Sequence, residues 1–453
     1  MSELPVGWTT GPVGELFEIV GGGTPPAADA SNFSDAGSAH AWLTPADLSG
    51  YKKKMITHGA RDLSPKGLKS SSAKLMPAGS VLFTSRAPIG YVAIADGEIS
   101  TNQGFKSFVL PEGLDASYVY YYLKRIRELA ESRGTGTTFK ELSGAATKEL
   151  PFVVAPFGEQ KRIAQKLDAL LAQVDTLKTR IDAIPALLKR FRKSILASAV
   201  SGELTTEWRL GKGLNKEDWC NSAIGAVAFV TKLAGFEYTK FVKYEPGGDL
   251  SVVKAENVGK SGFKVTQFST VRSEDVTSLT RSKLTGGEIL MVFVGAGTGQ
   301  VATVPNVGNW FLGPNIAMIR PDTNVVISKY LEHYCRSPQG WTEMSSFLKS
   351  TAQPCLSMKT IRQIGLPLPS IEEQTEIVRR VEQLFAFADQ LEAKVATAKQ
   401  RIDTLTQSLL AKAFRGELVP QDPNDEPASV LLERIRAQRA AAPKPKRGRK
   451  TSA

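Results

Sequence analysis

Between residues 163 and 195, apolar side chains fall at Ile163, Leu167, Leu170, Val174, Leu177, Ile181, Ile184, Leu188, Phe191 and Ile195. The steps alternate four and three without interruption, the a/d heptad that predicts a long helix with one apolar stripe. The register returns at Ile377, Val381, Leu384, Ala388, Leu391, Val395, Ala398, Ile402, Leu405 and Leu409. At about 1.5 Å per residue the first stripe spans roughly 48 Å. A helix standing alone would leave that stripe wet, and the nearest matching stripe lies in the same chain, so the two helices are expected to pair. Pro185 sits within the first helix, where it removes a backbone donor and is expected to kink or break it.

A shift of 214 residues superposes the two segments without a gap. It aligns Glu159-Gln160 with Glu373-Gln374, Ser194-Ile195-Leu196-Ala197 with Ser408-Leu409-Leu410-Ala411, and Gly202-Glu203-Leu204 with Gly416-Glu417-Leu418. That period is too long for a solenoid and indicates a duplicated half-molecule. The larger segments before each helix, 1–150 and 205–364, echo each other faintly. Trp8 with Val13-Gly14 returns as Trp219 with Ile224-Gly225, and Leu142-Ser143 as Leu356-Ser357. The apolar runs at 81–83 and 289–291 predict strands, 117–124 and 328–334 predict helices, and Gly- and Pro-rich loops punctuate both segments. Each reads as a compact α+β domain. The expected order is a first domain (1–150), a first spacer helix (151–204), a second domain (205–364), a second spacer helix (365–420) and a basic, disordered tail (421–453).

Charge modifies this picture only locally. The net charge is +12, yet residues 1–150 balance at fifteen basic against fifteen acidic. Residues 205–364 carry +5, and residues 431–453 carry +7 through a run that includes Lys444, Lys446, Arg447, Arg449 and Lys450. Such a balance permits a nucleic-acid partner without establishing one. No apolar run reaches about 18 residues, so no membrane span or leader is expected and a cytoplasmic location follows. Three cysteines without a CxxC pair and three scattered histidines argue against a disulfide framework and a metal site.

Two stretches imitate enzyme chemistry. Val294-Gly295-Ala296-Gly297-Thr298-Gly299 resembles the cofactor loop of an S-adenosylmethionine methyltransferase. However, Val301–Val304 beyond it predicts a second strand instead of the required helix, so a β-hairpin loop is favoured. Lys254 to Ser261 ends like a phosphate loop but has lysine in place of its first glycine. From the residues alone, three readings stand open: a non-catalytic recognition protein, a stand-alone methyltransferase built on the Gly295–Gly299 loop, and a coiled-coil adaptor.

The segments Glu159-Gln160-Lys161-Arg162-Ile163 through Asp175, Leu188-Lys189-Arg190-Phe191, Glu373-Gln374 through Ala386 and Thr406 through Leu418 carry a resemblance. They resemble the conserved regions of the specificity (S) subunits of type I DNA restriction–modification enzymes, in particular the type IA branch. The resemblance covers essentially the whole chain. It implies two target recognition domains with small mixed or antiparallel sheets and helices, separated by two long helices paired as an antiparallel coiled coil. Ile163, Leu167, Leu170, Leu177, Leu188, Ile377, Leu384, Leu391, Ile402 and Leu409 would form the spacer seam. Each domain would read one half of a bipartite site in double-stranded DNA, with an unspecified gap. The chain would have no active site, metal or cofactor. Two modification (M) subunits would carry S-adenosylmethionine and methylate adenine N6, and two restriction (R) subunits would add ATP- and Mg-dependent cleavage. Reading would fall to polar loop residues. The candidates are Ser85, Arg86, Asn102, Gln103 and Lys106 in the first domain, with Lys52, Lys53 and Lys54 on phosphates. In the second domain they are Lys254, Asn257, Arg281, Lys283, Thr298 and Gln300.

Overall fold

Both heptad segments are single helices, Phe157–Ser201 and Ile371–Ala413. They run antiparallel: Lys178 pairs with Asp403 at 2.9 Å, and Arg192, fourteen residues on, pairs with Asp389, fourteen residues back, at 2.6 Å. The first helix continues unbroken through Pro185. The ring removes one hydrogen bond, and buried seam residues on either side, Val174 and Leu188, hold the helix on course. The first helix stops directly before Gly202 (φ +82°), the left-handed conformation that ends a helix at least cost, and the second ends at Ala413 in a turn that closes on Gly416 (φ +74°). This accounts for the repeated glycine.

The computed structural model describes residues 4–136, 140–259, 261–348 and 354–441. It divides into two units, Met1–Ile181 with Ala398–Ala453, and Asp182–Thr397, so each long helix contributes to both. Among the described residues no helix is long and apolar enough to cross a membrane.

In the first unit a five-stranded sheet has the order Glu18–Gly21, Lys106–Val109, Val81–Phe83, Val92–Ala95, Met55–Ile56. A four-stranded sheet joins Phe33–Asp35, Arg61–Leu63, His40–Leu43 and Ser100–Thr101. Both are mixed, with parallel pairs at Met55–Ile94 and Trp42–Ser100. The second unit repeats the plan. One sheet orders Ala228–Lys232, Ile316–Pro321, Ile289–Val292, Val301–Thr303, and another Ser269–Val271, Leu250–Val253, Trp310–Leu312, Lys283–Leu284. The central strands Val81–Phe83 and Ile289–Val292 are buried at every position, which is why they read as continuous apolar runs.

Each domain extends past its expected end by one strand. Pro151–Val154 pairs with Thr9–Pro12, and Gly365–Leu368 with Cys220–Ala223. These short sheets tie the start of each domain to the residues that lead into its helix. The helix starts then plug into the domain cores: Ile163 and Leu167 join the first core, Ile377 and Val381 the second. The expected seam is therefore part domain core and part coiled coil. Leu188 and Ile402 are buried along it, and Leu170, Leu384, Leu391 and Leu409 are half-buried. Leu177 departs from the expectation, standing 48 % exposed.

The segment after the second helix also departs from it. Ala428–Ala441 is a helix, not a disordered tail. Leu431, Leu432 and Ile435 enter the first domain's core beside Phe414, and Arg436 pairs with Glu15 at 2.6 Å. Apolar burial orders this stretch in spite of its basic composition. The lysine- and arginine-rich run 444–450 lies outside the described residues.

Candidate nucleic-acid interface

Because the chain contains its fold twice, the two copies can be compared side by side. Around the helix starts, backbone and side chains are both kept. Trp8 Nε1 donates to Glu159 Oε2 at 2.8 Å, and Trp219 Nε1 to Glu373 Oε2 at 2.8 Å. Gln160 accepts from the Asp115 N–H and donates to the Ala155 carbonyl; Gln374 accepts from the Ile327 N–H and donates to the Pro369 carbonyl. Tyr118 and Tyr122 donate to the carbonyls of Val153 and Pro151, as Tyr330 and Tyr334 do to those of Pro367 and Gly365. The repeated Glu-Gln pair is thus a buried lock between domain and helix, with these bonds duplicated.

One difference concerns charge. Glu373 Oε1 accepts from Thr205 and from the buried Arg209 guanidinium. Glu159 Oε1 is buried without a partner, and Arg162 nearby is bonded instead to Asp425 at 2.6 Å. Burial accordingly pushes the Glu159 carboxyl upward, against the opposing pull of Trp8 and Arg162.

A second region keeps the backbone and changes the side chains. In the first domain the Ser85 N–H donates to the Gly104 carbonyl and the Ser85 carbonyl accepts from the Leu142 N–H. In the second, Phe293 makes the same two bonds, to Asn315 and from Leu356. The next residues, Arg86 and Val294, form isolated bridges with Glu141 and Cys355. The loops then close alike, Gly90 N–H to the Thr84 carbonyl and Gly299 N–H to the Val292 carbonyl. Arg127 packs over Gly90, and Trp341 over Gly299. Three backbone segments therefore meet in each domain in one geometry, presenting Arg86, Glu141 and Arg127 in one copy and Val294, Cys355 and Trp341 in the other. Anchored loop bases with divergent tips suit a rigid scaffold that carries two different specificities.

The candidate residues divide on this geometry. Arg86 is partly exposed, with Glu141 at 3.9 Å, and belongs to the convergent surface. Gln103 is exposed next to it and accepts from the Thr24 hydroxyl. Lys106 is half-buried on the adjoining strand, and Lys52, Lys53 and Lys283 are exposed. Gln300 is half-buried, at the position equivalent to Tyr91.

Five candidates are instead structural. Ser85 is fully buried because both its backbone groups pin it inward. Asn257 is 1 % exposed and accepts from the Lys254 N–H, closing a turn. Thr298 is buried, its hydroxyl donating to the Gly295 and Pro354 carbonyls. Asn102 folds back to accept from the Gly104 N–H. Lys54 is engaged by Asp168 at 2.8 Å and Ser117 at 3.0 Å, fastening the domain to its helix instead of reaching for phosphate. Two more are tied in part: Lys254 donates to Ser269 and lies 4.6 Å from the Tyr244 ring centre, and Arg281 pairs with Glu237. Sequence reasoning missed Arg127 and Trp341. Their signal was there, since the shift of 214 residues that aligns Leu142 with Leu356 also aligns Arg127 with Trp341, and the glycine beneath each shows the correspondence in the fold.

The glycine-rich stretch Gly295–Gly299 joins antiparallel strands Ile289–Val292 and Val301–Thr303. It is the hairpin loop expected from its flanks, followed by a strand and not by a helix.

Comparison with known proteins agrees with this layout. The family model for the type I restriction modification DNA specificity domain matches twice, over residues 5–186 and 216–398. The chain is 35% identical over 357 residues to the type I restriction enzyme EcoBI specificity subunit of Escherichia coli, covering 74% of each. It is 31% identical to the EcoKI specificity subunit of Escherichia coli K12 over 99% of both. Among solved structures it is similar in fold to the HsdS subunit from Thermoanaerobacter tengcongensis, with a TM-score of 0.60, 18% identity, and 92% of this chain and 98% of that one covered.

Proposed function

The chain belongs to the type I restriction–modification DNA specificity family, a non-catalytic specificity subunit, and on that premise we propose that its two domains each read one half of a bipartite DNA site. The observation that supports this reading is the contrast between the two internal copies. Where each domain locks to its helix, residues and geometry are duplicated together; at the convergent loops only the geometry is. Selection for one fold keeps the first kind of surface, and selection for two different half-sites diversifies the second. Arg86, Gln103 and Arg127 offer the first half-site donors and acceptors of the kind that recognise base edges, while exposed lysines such as Lys52, Lys53 and Lys283 fix register on phosphates.

The paired helices set the unspecified gap in this account. They also carry partly exposed apolar side chains: Leu177, Leu187, Phe191, Phe387 and Leu405 are each at least 36 % exposed. These suit docking of two M subunits, one to each half of the duplicated chain. The M subunits would bind S-adenosylmethionine and methylate adenine N6, and two R subunits would add ATP- and Mg-dependent cleavage. The hairpin geometry of Gly295–Gly299 gives no support to a methyltransferase site in this chain. Selection of random duplexes by the chain in complex with its M subunits tests the proposal. The expected result is one motif of two defined parts around a fixed run of unspecified bases. A single contiguous motif, or no enrichment, would overturn it.

A further inference from the structure

Three equivalent positions of the two convergent surfaces differ in the same direction. Arg86, Glu141 and Arg127 of the first domain are replaced in the second by Val294, Cys355 and Trp341, so each charged side chain has an apolar counterpart. Ser85 is likewise replaced by Phe293. These apolar groups are not core: Val294 is partly exposed, Cys355 is exposed and Trp341 is 48 % exposed. The exposed Lys232 has its ammonium 5.0 Å from the ring centre of Phe293, the residue before Val294.

The Val294 side chain and the ring face of Trp341 offer nothing to a base-edge donor or acceptor, which would lose its water and gain no partner. In the major groove only thymine presents an apolar group, its C5-methyl, and apolar side chains are the natural contact for it. Lys232 at the margin adds the cation that a phosphate backbone requires. We infer that the second domain reads a thymine methyl through Val294 and Trp341, at the spot where the first domain uses charged and hydrogen-bonding groups. This deepens the reading given above and rests on it: the occupant is duplex DNA, and the new element is the chemical feature read.

The test uses the chain in complex with its M subunits and the duplex that the complex itself selects. Each thymine of the half-site read by the second domain is replaced singly by deoxyuridine, which removes only the methyl group. The expected result is a loss of affinity of about fourfold at one position, the effect of about one buried methyl. In Val294→Ala or Trp341→Ala that position should become insensitive to the replacement. Equal affinity for every deoxyuridine duplex would overturn the inference, as would a response that survives unchanged in both variants, although DNA reading itself would stand. Failure of the complex to bind any sequence selectively would overturn DNA reading and this inference together.

Discussion

Neutralising the duplicated glutamate should have unequal consequences in the two halves. In the second copy, Glu373 and Arg209 are 2 % and 5 % exposed and bonded to each other, with Thr205 and Trp219 completing the carboxylate's shell. Glu373→Gln would leave the Arg209 guanidinium buried without its counter-charge. Breaking one side of such a pair costs about 3–5 kcal/mol. For the unit of residues 182–397 that corresponds to a fall in its melting temperature of roughly 6–20 °C, at about 2–4 °C per kcal/mol. In the first copy Glu159 has one buried oxygen without a partner, and Arg162 already has its counter-charge in Asp425, at 2.6 Å from its Nη2. Glu159→Gln keeps an acceptor for Trp8 and removes a desolvated charge, so its effect should stay within about 1 kcal/mol. Differential scanning calorimetry or urea unfolding of both variants measures the difference. The double variant Arg209→Met with Glu373→Gln should recover much of the loss, because neither charge is then stranded. Equal destabilisation by the two glutamine variants, or additive effects in the double variant, would refute the reasoning.

Three further outcomes are expected. His333 is buried with neither ring nitrogen bonded, and burial pushes its pKa from 6.5 down to about 4, outweighing the pull of Glu332. The unfolded chain therefore takes up the proton first, so stability present above pH 6.5 is lost as pH falls towards 4, by about 3 kcal/mol in all; urea titrations of His333→Phe should lack that acid-side loss, and an unchanged pH profile would count against it. Leu432→Ala should weaken the first unit by about 2–5 kcal/mol, seen as a lower urea midpoint, because the C-terminal helix is part of that core; a midpoint equal to the parent's would show the helix to be dispensable. Arg86→Ala should cost about 1–3 kcal/mol against the selected first half-site and relax specificity there; an equal loss on all sequences would make Arg86 a phosphate contact.

Periodicity made the long helices and their partnership legible, because a 33-residue stripe at strict heptad spacing has few other uses. The Glu-Gln repeat was visible as a repeat, but its partners, Trp8 and Trp219, lie more than 150 residues away and only folding brings them in. Polar loop residues were the least legible. Asn257, Thr298 and Asn102 have the chemistry for reading bases, yet the same donors and acceptors close turns, and composition cannot separate the two uses. Ser85 looked like a loop tip because it follows a strand, whereas its backbone continues the ladder for one more residue. The C-terminal helix was hidden by averaging: Leu431, Leu432 and Ile435 already mark one helical face, but summing charge over 431–453 merged them with the basic run beyond. Pro185 was overweighted, since one missing donor does not break a helix packed along its length.

Exchange of one domain tests the central claim most directly. Residues 219–352 are replaced by the equivalent segment of a relative with a different target, and duplexes are selected by the parent and chimeric complexes in parallel. The account predicts that one half-site changes, while the other half-site and the gap between them stay as in the parent. A change in both half-sites, or in neither, would show that the two domains do not each read their own half of the site.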